Sequence, residues 1–142
     1  MNDAIERIVS CFEGLTPERV AQLGAIYAAD AHFSDPFNEV QGLAEIQRVF
    51  RHMYVALESP RFVLRTRMVA GDQCFLAWEF QFRFRNFRRG VPQAVLGASH
   101  LALGRDGLIT MHQDYWDAAH GLYEKMPLIG VVMRWLRRRA IR

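Results

Sequence analysis

Cys74-Phe75-Leu76-Ala77-Trp78-Glu79-Phe80-Gln81-Phe82-Arg83-Phe84-Arg85 is the stretch from which the rest of the chain can be read. Cys74, Leu76, Trp78, Phe80, Phe82 and Phe84 fall on one face, and Glu79, Gln81, Arg83 and Arg85 on the other. A period of two is the signature of a strand with one buried face. At about thirteen residues the strand is long, so the sheet is expected to bend or carry a bulge. Upstream, Phe62 to about Ala70 reads as its partner across a Gly71-Asp72 turn. Downstream, a basic loop over 86–92 leads to a strand from about Ala94 to Leu103. Gly104-Arg105-Asp106-Gly107 makes a hairpin turn, and a last strand runs from Leu108 to about Asp117.

Before this meander the period is helical. Ile5, Ile8, Val9 and Phe12 form one stripe. Thr16-Pro17-Glu18 marks a new helix start, lined by Val20, Leu23, Ile26 and Tyr27. Ala31-His32-Phe33-Ser34 reads as a short strand, and Asp35-Pro36-Phe37-Asn38 turns the chain. A third helix is expected over 43–57, with Ile46, Val49, Phe50, Met53 and Leu57 inward and Ser59-Pro60 closing it. The expected fold class is α+β: three N-terminal helices packed on a strongly curved, mostly antiparallel sheet, plus a basic C-terminal helix. A curved sheet closed by helices leaves a cone, and apolar cones admit ligands.

The chain has 142 residues, 51% apolar and 23% charged, which suits one domain with a real core. Cys11 and Cys74 cannot form a disulfide scaffold and read as buried thiols. No stretch resembles a signal peptide or approaches 18 consecutive apolar residues, so a cytoplasmic location is expected. Residues 1–119, the expected cone domain, carry 12 basic and 14 acidic residues. Residues 120–142, a basic amphipathic helical extension of it, carry six basic residues and one acidic. The body therefore has no positive surplus, and no nucleic-acid partner is expected. The tail fits a lid or a dimer element, with a weaker case for peripheral membrane contact through residues 128–142.

The sharpest chemical clue is Phe33-Ser34-Asp35-Pro36-Phe37, an acid between aromatics. Proline keeps Asp35 extended. A carboxylate at a strand end can aim into a pocket lined by Phe33 and Phe37, where desolvation makes it a better base. The plainer alternative is an Asp-Pro turn. The last hairpin supplies a second cluster in one of two registers. In one, Gly97 faces Asp114 and Ser99 faces His112, with Trp116 on that face and His100 on the other. In the second, a bulged three-residue loop sets His100 beside His112 and Asp114. Either places a histidine near an acid, a proton-transfer pair or simply a satisfied hydrogen bond. The five histidines are scattered and form no metal-binding spacing, so neither metal nor cofactor is expected.

The segment Ile26-Tyr27-Ala28-Ala29-Asp30-Ala31-His32-Phe33-Ser34-Asp35-Pro36-Phe37, then Gly42 with Ile46, Asp106-Gly107 and Tyr115-Trp116, resembles the nuclear-transport-factor-2-like superfamily, nearest its ketosteroid-isomerase and SnoaL-like branch. The likeness covers about residues 5 to 118. It implies the cone fold, a homodimer, and Asp35 at the position of the isomerase base. The isomerase's oxyanion tyrosine falls at Cys11 or Phe12 and its protonated aspartic acid at Ser99, so both strong donors are absent. Losing one such donor costs about 2.7–4 kcal/mol, which argues against steroid isomerisation. The cavity tryptophan falls on Trp116, which favours the first register. Likeness to the SnoaL-like cyclases points instead to His100 and Asp114, which needs the second.

Asp35, His112, Asp114 and His100 are thus the candidate catalytic residues, and Phe12, Tyr27, Phe33, Phe37, Trp78, Ser99 and Trp116 the candidate pocket. The expected function is binding of a small apolar molecule in the cone, with acid–base chemistry of isomerase, cyclase or hydratase type. The alternative is a non-catalytic binding or structural module with a filled cone.

Overall fold

The computed structural model describes residues 2–85 and 90–117. The expected C-terminal helix over 120–142, its membrane contact, and Arg88 and Arg89 of the basic loop lie outside these. The described elements are α1 (Asn2–Glu13), a 3₁₀ helix (Glu18–Ala25), β1 (Tyr27–Ser34), β2 (Glu39–Gln41), α2 (Leu43–Ala56), β3 (Leu57–Ala70), β4 (Gln73–Phe84), β5 (Gln93–Leu103) and β6 (Ile109–Trp116). The strands form one six-stranded sheet in the order β2-β1-β6-β5-β4-β3. All neighbours are antiparallel except β1 and β6, which run parallel. The architecture is α+β, with the helices on one face of a mixed sheet.

The alternation on β4 is realised along its whole length: Cys74, Leu76, Trp78, Phe80, Phe82 and Phe84 are each at most 7% exposed. They face Ile5, Ile8 and Val9 of α1, Val20 and Leu23 of the 3₁₀ helix, and Ile46 and Phe50 of α2 in one core. Apolar residues repeating every three or four positions along α1 and α2 put one side of each helix on that core.

Several expectations need correction. The second helix is 3₁₀ rather than α, because Val20 and Leu23 repeat at three residues and Gly24 weakens continuation. Ile26 caps it, and Tyr27 already belongs to β1. The third helix follows two strands, β1 and the unanticipated β2. It ends at Ala56, and Ser59-Pro60 lies inside β3 rather than at a helix end. The β3–β4 pairing shifts between Glu58 and Arg61, where Ser59 takes φ 52°, and again between Leu64 and Thr66. The irregularity anticipated for this pair thus sits on β3, and β4 stays regular. A bulge bends a strand and increases its local twist.

The last hairpin adopts neither anticipated register. Ser99 pairs with Asp114, Gly97 with Trp116 and Leu101 with His112, after a shift between Leu103–Ile109 and Ala102–Met111. Thr110 is the extra residue, and its hydroxyl donates to the Ala102 carbonyl at 3.1 Å. The shift of two from the first register preserves side-chain parity. Ser99, His112, Asp114 and Trp116 therefore share the inner face. His100 goes to the outer face, pairs with Gln113, bonds Gln73 Oε1 through Nε2 at 2.6 Å, and stacks on Phe75 at 4.6 Å.

Candidate functional site

Asp35 stands where β1 ends and the chain turns back toward β2. Its backbone N–H donates to the Asn38 carbonyl at 2.9 Å, closing the turn. Its Oδ1 accepts from the Phe37 N–H (2.8 Å), the Asn38 N–H (2.6 Å) and Asn38 Nδ2 (3.2 Å). The carboxylate organises this turn and also lines a cavity. Burial, the largest influence, pushes its pKa up from 3.8 to about 6. The Phe37 N–H opposes that rise and the charge of Asp114 adds to it.

The cavity measures about 240 Å³. Its walls come from four directions: Phe33, Asp35, Phe37 and Asn38 around the turn; Val49, Phe50, His52, Met53 and Ala56 on α2; Leu57 and Phe62 on β3; and Phe80, Phe82, Asp114 and Trp116 on β4 and β6. Positions 49, 52, 53 and 56 follow the i, i+3, i+4, i+7 pattern that puts them on one helical face. His52, Asn38 and Phe62 were not anticipated as wall residues. The face shared with Val49 and Met53 was the available signal for His52. Phe62 gave none beyond an apolar residue on a strand.

A second void of about 30 Å³ lies against Phe12, Trp78, Ser99 and His112, and shares Phe50, Phe62 and Asp114 with the first. The anticipated pocket residues thus divide. Phe33, Phe37 and Trp116 line the larger cavity, and Phe12, Trp78 and Ser99 the smaller void. Tyr27, 1% exposed, lines neither.

Five side chains on four strands form one hydrogen-bonded chain behind the cavity wall. Trp78 Nε1–H donates to Ser99 Oγ at 2.9 Å, and Ser99 Oγ–H donates to Asp114 Oδ1 at 2.5 Å. His112 Nε2 meets the same Asp114 oxygen at 2.6 Å, and Tyr27 Oη meets His112 Nδ1 at 2.7 Å. Burial, then the charge of Asp114, holds the Tyr27 phenol well above its usual pKa. Gly97 makes room for this arrangement: a Cβ there would stand 2.4 Å from the Trp78 ring. Trp116 is perpendicular to Trp78 (4.7 Å, 75°) and Phe80 (5.4 Å, 83°). Its Nε1 is the buried side-chain atom without a hydrogen-bond partner among the described residues.

Of the four candidate catalytic residues, Asp35 and Asp114 face one cavity, His112 supports Asp114 from behind, and His100 lies on the opposite side of the sheet. Among the described residues no cluster of three or more His, Cys, Asp or Glu could hold a metal ion.

Helices covering one face of a six-stranded mixed sheet, with polar side chains buried between them, is the fold of the nuclear-transport-factor-2-like proteins, and solved structures share it. A protein of ketosteroid-isomerase-like fold from Catenulispora acidiphila, in complex with trimethylamine, superposes with a TM-score of 0.70 at 22% identity, covering 84% of this chain and 88% of that one. An epoxide hydrolase from Mycobacterium tuberculosis, similar to the LEH type, gives 0.71 at 15% identity over 94% and 97%. A candidate SnoaL-like polyketide cyclase from a Jannaschia species gives 0.67 at 14% over 82% and 86%. At these identities the likeness is one of fold. No curated protein matches the sequence. The profile of the SnoaL-like domain matches residues 8–112, and the chain belongs to that family.

Proposed function

We propose that the cone binds a small, largely apolar molecule carrying a carbonyl-type group, and that Asp35 and Asp114 move protons on it in a reaction of isomerase, cyclase or hydratase type. The observation that carries this reading is the presence of both carboxyl groups on the wall of one cavity of about 240 Å³ whose other walls are mainly aromatic and aliphatic. A carboxyl group whose burial moves its proton affinity toward neutrality is poised for general acid–base work, and Asp35 is the one that shifts so. Asp35, pushed up to about 6, fits that role.

The test uses 1-tetralone, an apolar ketone with exchangeable protons beside its carbonyl, incubated in D₂O at pH 7.5. The wild type is expected to speed exchange about 10²-fold or more over buffer, in the range of general-base catalysis. Asp35→Asn and Asp114→Asn should each remove most of that gain. Binding of the ketone without any acceleration would replace this reading by the binding-module alternative.

The outer face of the sheet presents Phe75 (44% exposed), Leu96 (56%) and Tyr115 (54%). Exposed apolar groups gathered on one sheet face support a second copy of the chain as the partner there. Among the described residues no helix is long and apolar enough to cross a membrane.

A further inference from the structure

The hydrogen-bonded chain behind the cavity has a direction at every link. An indole N–H only donates, so Ser99 Oγ must accept from Trp78. That leaves the serine proton for Asp114 Oδ1. At the other end Tyr27 is buried, and among the described residues its hydroxyl has no partner besides His112 Nδ1. If Nδ1 carried a proton, the phenol oxygen would accept it and the phenol's own hydrogen would be left buried and unpaired, which is costly. With Nδ1 bare, Tyr27 donates to it, Nε2–H donates to Asp114 Oδ1, and every hydrogen has an acceptor. The elevated pKa of the phenol, caused first by burial, keeps its proton available for this. Asp114 Oδ1 is then occupied twice, and Oδ2 accepts no hydrogen bond among the described residues. Asp114 lines the larger cavity, whereas His112 does not.

We propose that His112 is a positioning residue, fixed by Tyr27 as the neutral Nε2–H tautomer, and that Asp114, through Oδ2, is the group of this pair that exchanges protons with the bound molecule. The imidazole turns and holds the carboxylate; both its nitrogens are engaged, so it neither takes nor gives a proton at the ligand. Its structural half stands alone, while the division of labour rests on the function proposed above.

The test has two readouts on the full-length protein. Ring ¹⁵N shifts of His112 at pH 7.5, without ligand, should show a protonated Nε2 and a bare, hydrogen-bonded Nδ1. In Tyr27→Phe the Nδ1 signal should move toward that of an unbonded nitrogen. An imidazolium or an Nδ1–H tautomer in the wild type overturns the proposal, and this readout does not depend on whether Tyr27→Phe folds. The second readout is tetralone exchange. His112→Gln, whose amide can still donate to Asp114, should stay within about tenfold of wild type, while Asp114→Asn falls by about 10²-fold or more. Equal losses in the two variants overturn the proposal. A wild type that exchanges nothing overturns the catalytic reading and with it the second half, while the tautomer still decides the first.

Discussion

Replacing Asp35 by asparagine is expected to stabilise the protein at neutral pH and leave it nearly unchanged in acid. The folded chain holds this carboxyl at about 6, against 3.8 for the ordinary group, mainly because it is buried. Below about pH 4 both folded and unfolded chains keep the proton, and the group contributes no difference. As pH rises from about 4 to about 6, the unfolded chain releases its proton while the folded chain retains it, so stability falls across that window. The full cost applies above it. At about 1.36 kcal/mol per pH unit the gap amounts to ~3 kcal/mol. Solvent reaching the partly buried side chain lowers this to ~2 kcal/mol. Asparagine cannot ionise, yet its Oδ1 can still accept from the Phe37 and Asn38 N–H groups, so the turn should survive. Urea unfolding followed by tryptophan fluorescence, at pH 4 and pH 7.5 in both proteins, isolates the effect, because titrating groups not coupled to Asp35 cancel in the difference. The expected result is a stability advantage for Asp35→Asn that grows by ~2 kcal/mol between the two conditions. A gap that does not change with pH would refute the reasoning, as would a variant less stable than wild type at pH 7.5.

Other substitutions test neighbouring parts of the structure. Gly97→Ala should cost about 1–3 kcal/mol in denaturant unfolding, because its methyl would collide with the Trp78 ring that anchors Ser99. Trp78→Phe keeps most of the apolar surface but removes the donor to Ser99, and should cost about 1–2 kcal/mol while lowering exchange activity through Asp114. His100→Ala, on the outer face, should leave tetralone exchange unchanged, a result that separates it from Asp114. Leu96→Lys with Tyr115→Glu should shift the sedimentation mass from two chains to one if a second copy covers the outer face; unchanged mass counts against that partner.

The sequence made the walls legible and hid the joints. Strand β4 could be read from alternation alone because its inward residues are all apolar, mostly large, while Glu79, Gln81 and Arg83 between them are polar or charged. Asp35 could be placed because proline and two phenylalanines frame it. The β5–β6 register could not, since it turns on Thr110, whose backbone bulges while its hydroxyl seals the gap to Ala102. Nothing in a threonine between isoleucine and methionine announces that. The two anticipated registers differ in parity, which the sequence left open, and parity alone separates His112 from His100. The parallel pairing of β1 with β6 was also hidden, because it joins segments about 80 residues apart through main-chain bonds such as Ile109 N–H to the Ile26 carbonyl at 2.7 Å. The short β2 is too brief to carry a period. Tyr27 looked like a pocket residue because its helical spacing pointed inward. It does point inward, but to His112 rather than to the cavity.

The central claim is that Asp35 and Asp114 face one open, ligand-accepting space. A high-resolution crystal structure of the protein soaked with 1-tetralone tests it most directly. The expected result is density for the ketone among Phe33, Phe62 and Trp116, with its oxygen end toward the two carboxyl groups. A cone closed by Phe62, Phe80 and Phe82, with Asp35 engaged only in its turn and no ketone inside, would contradict it.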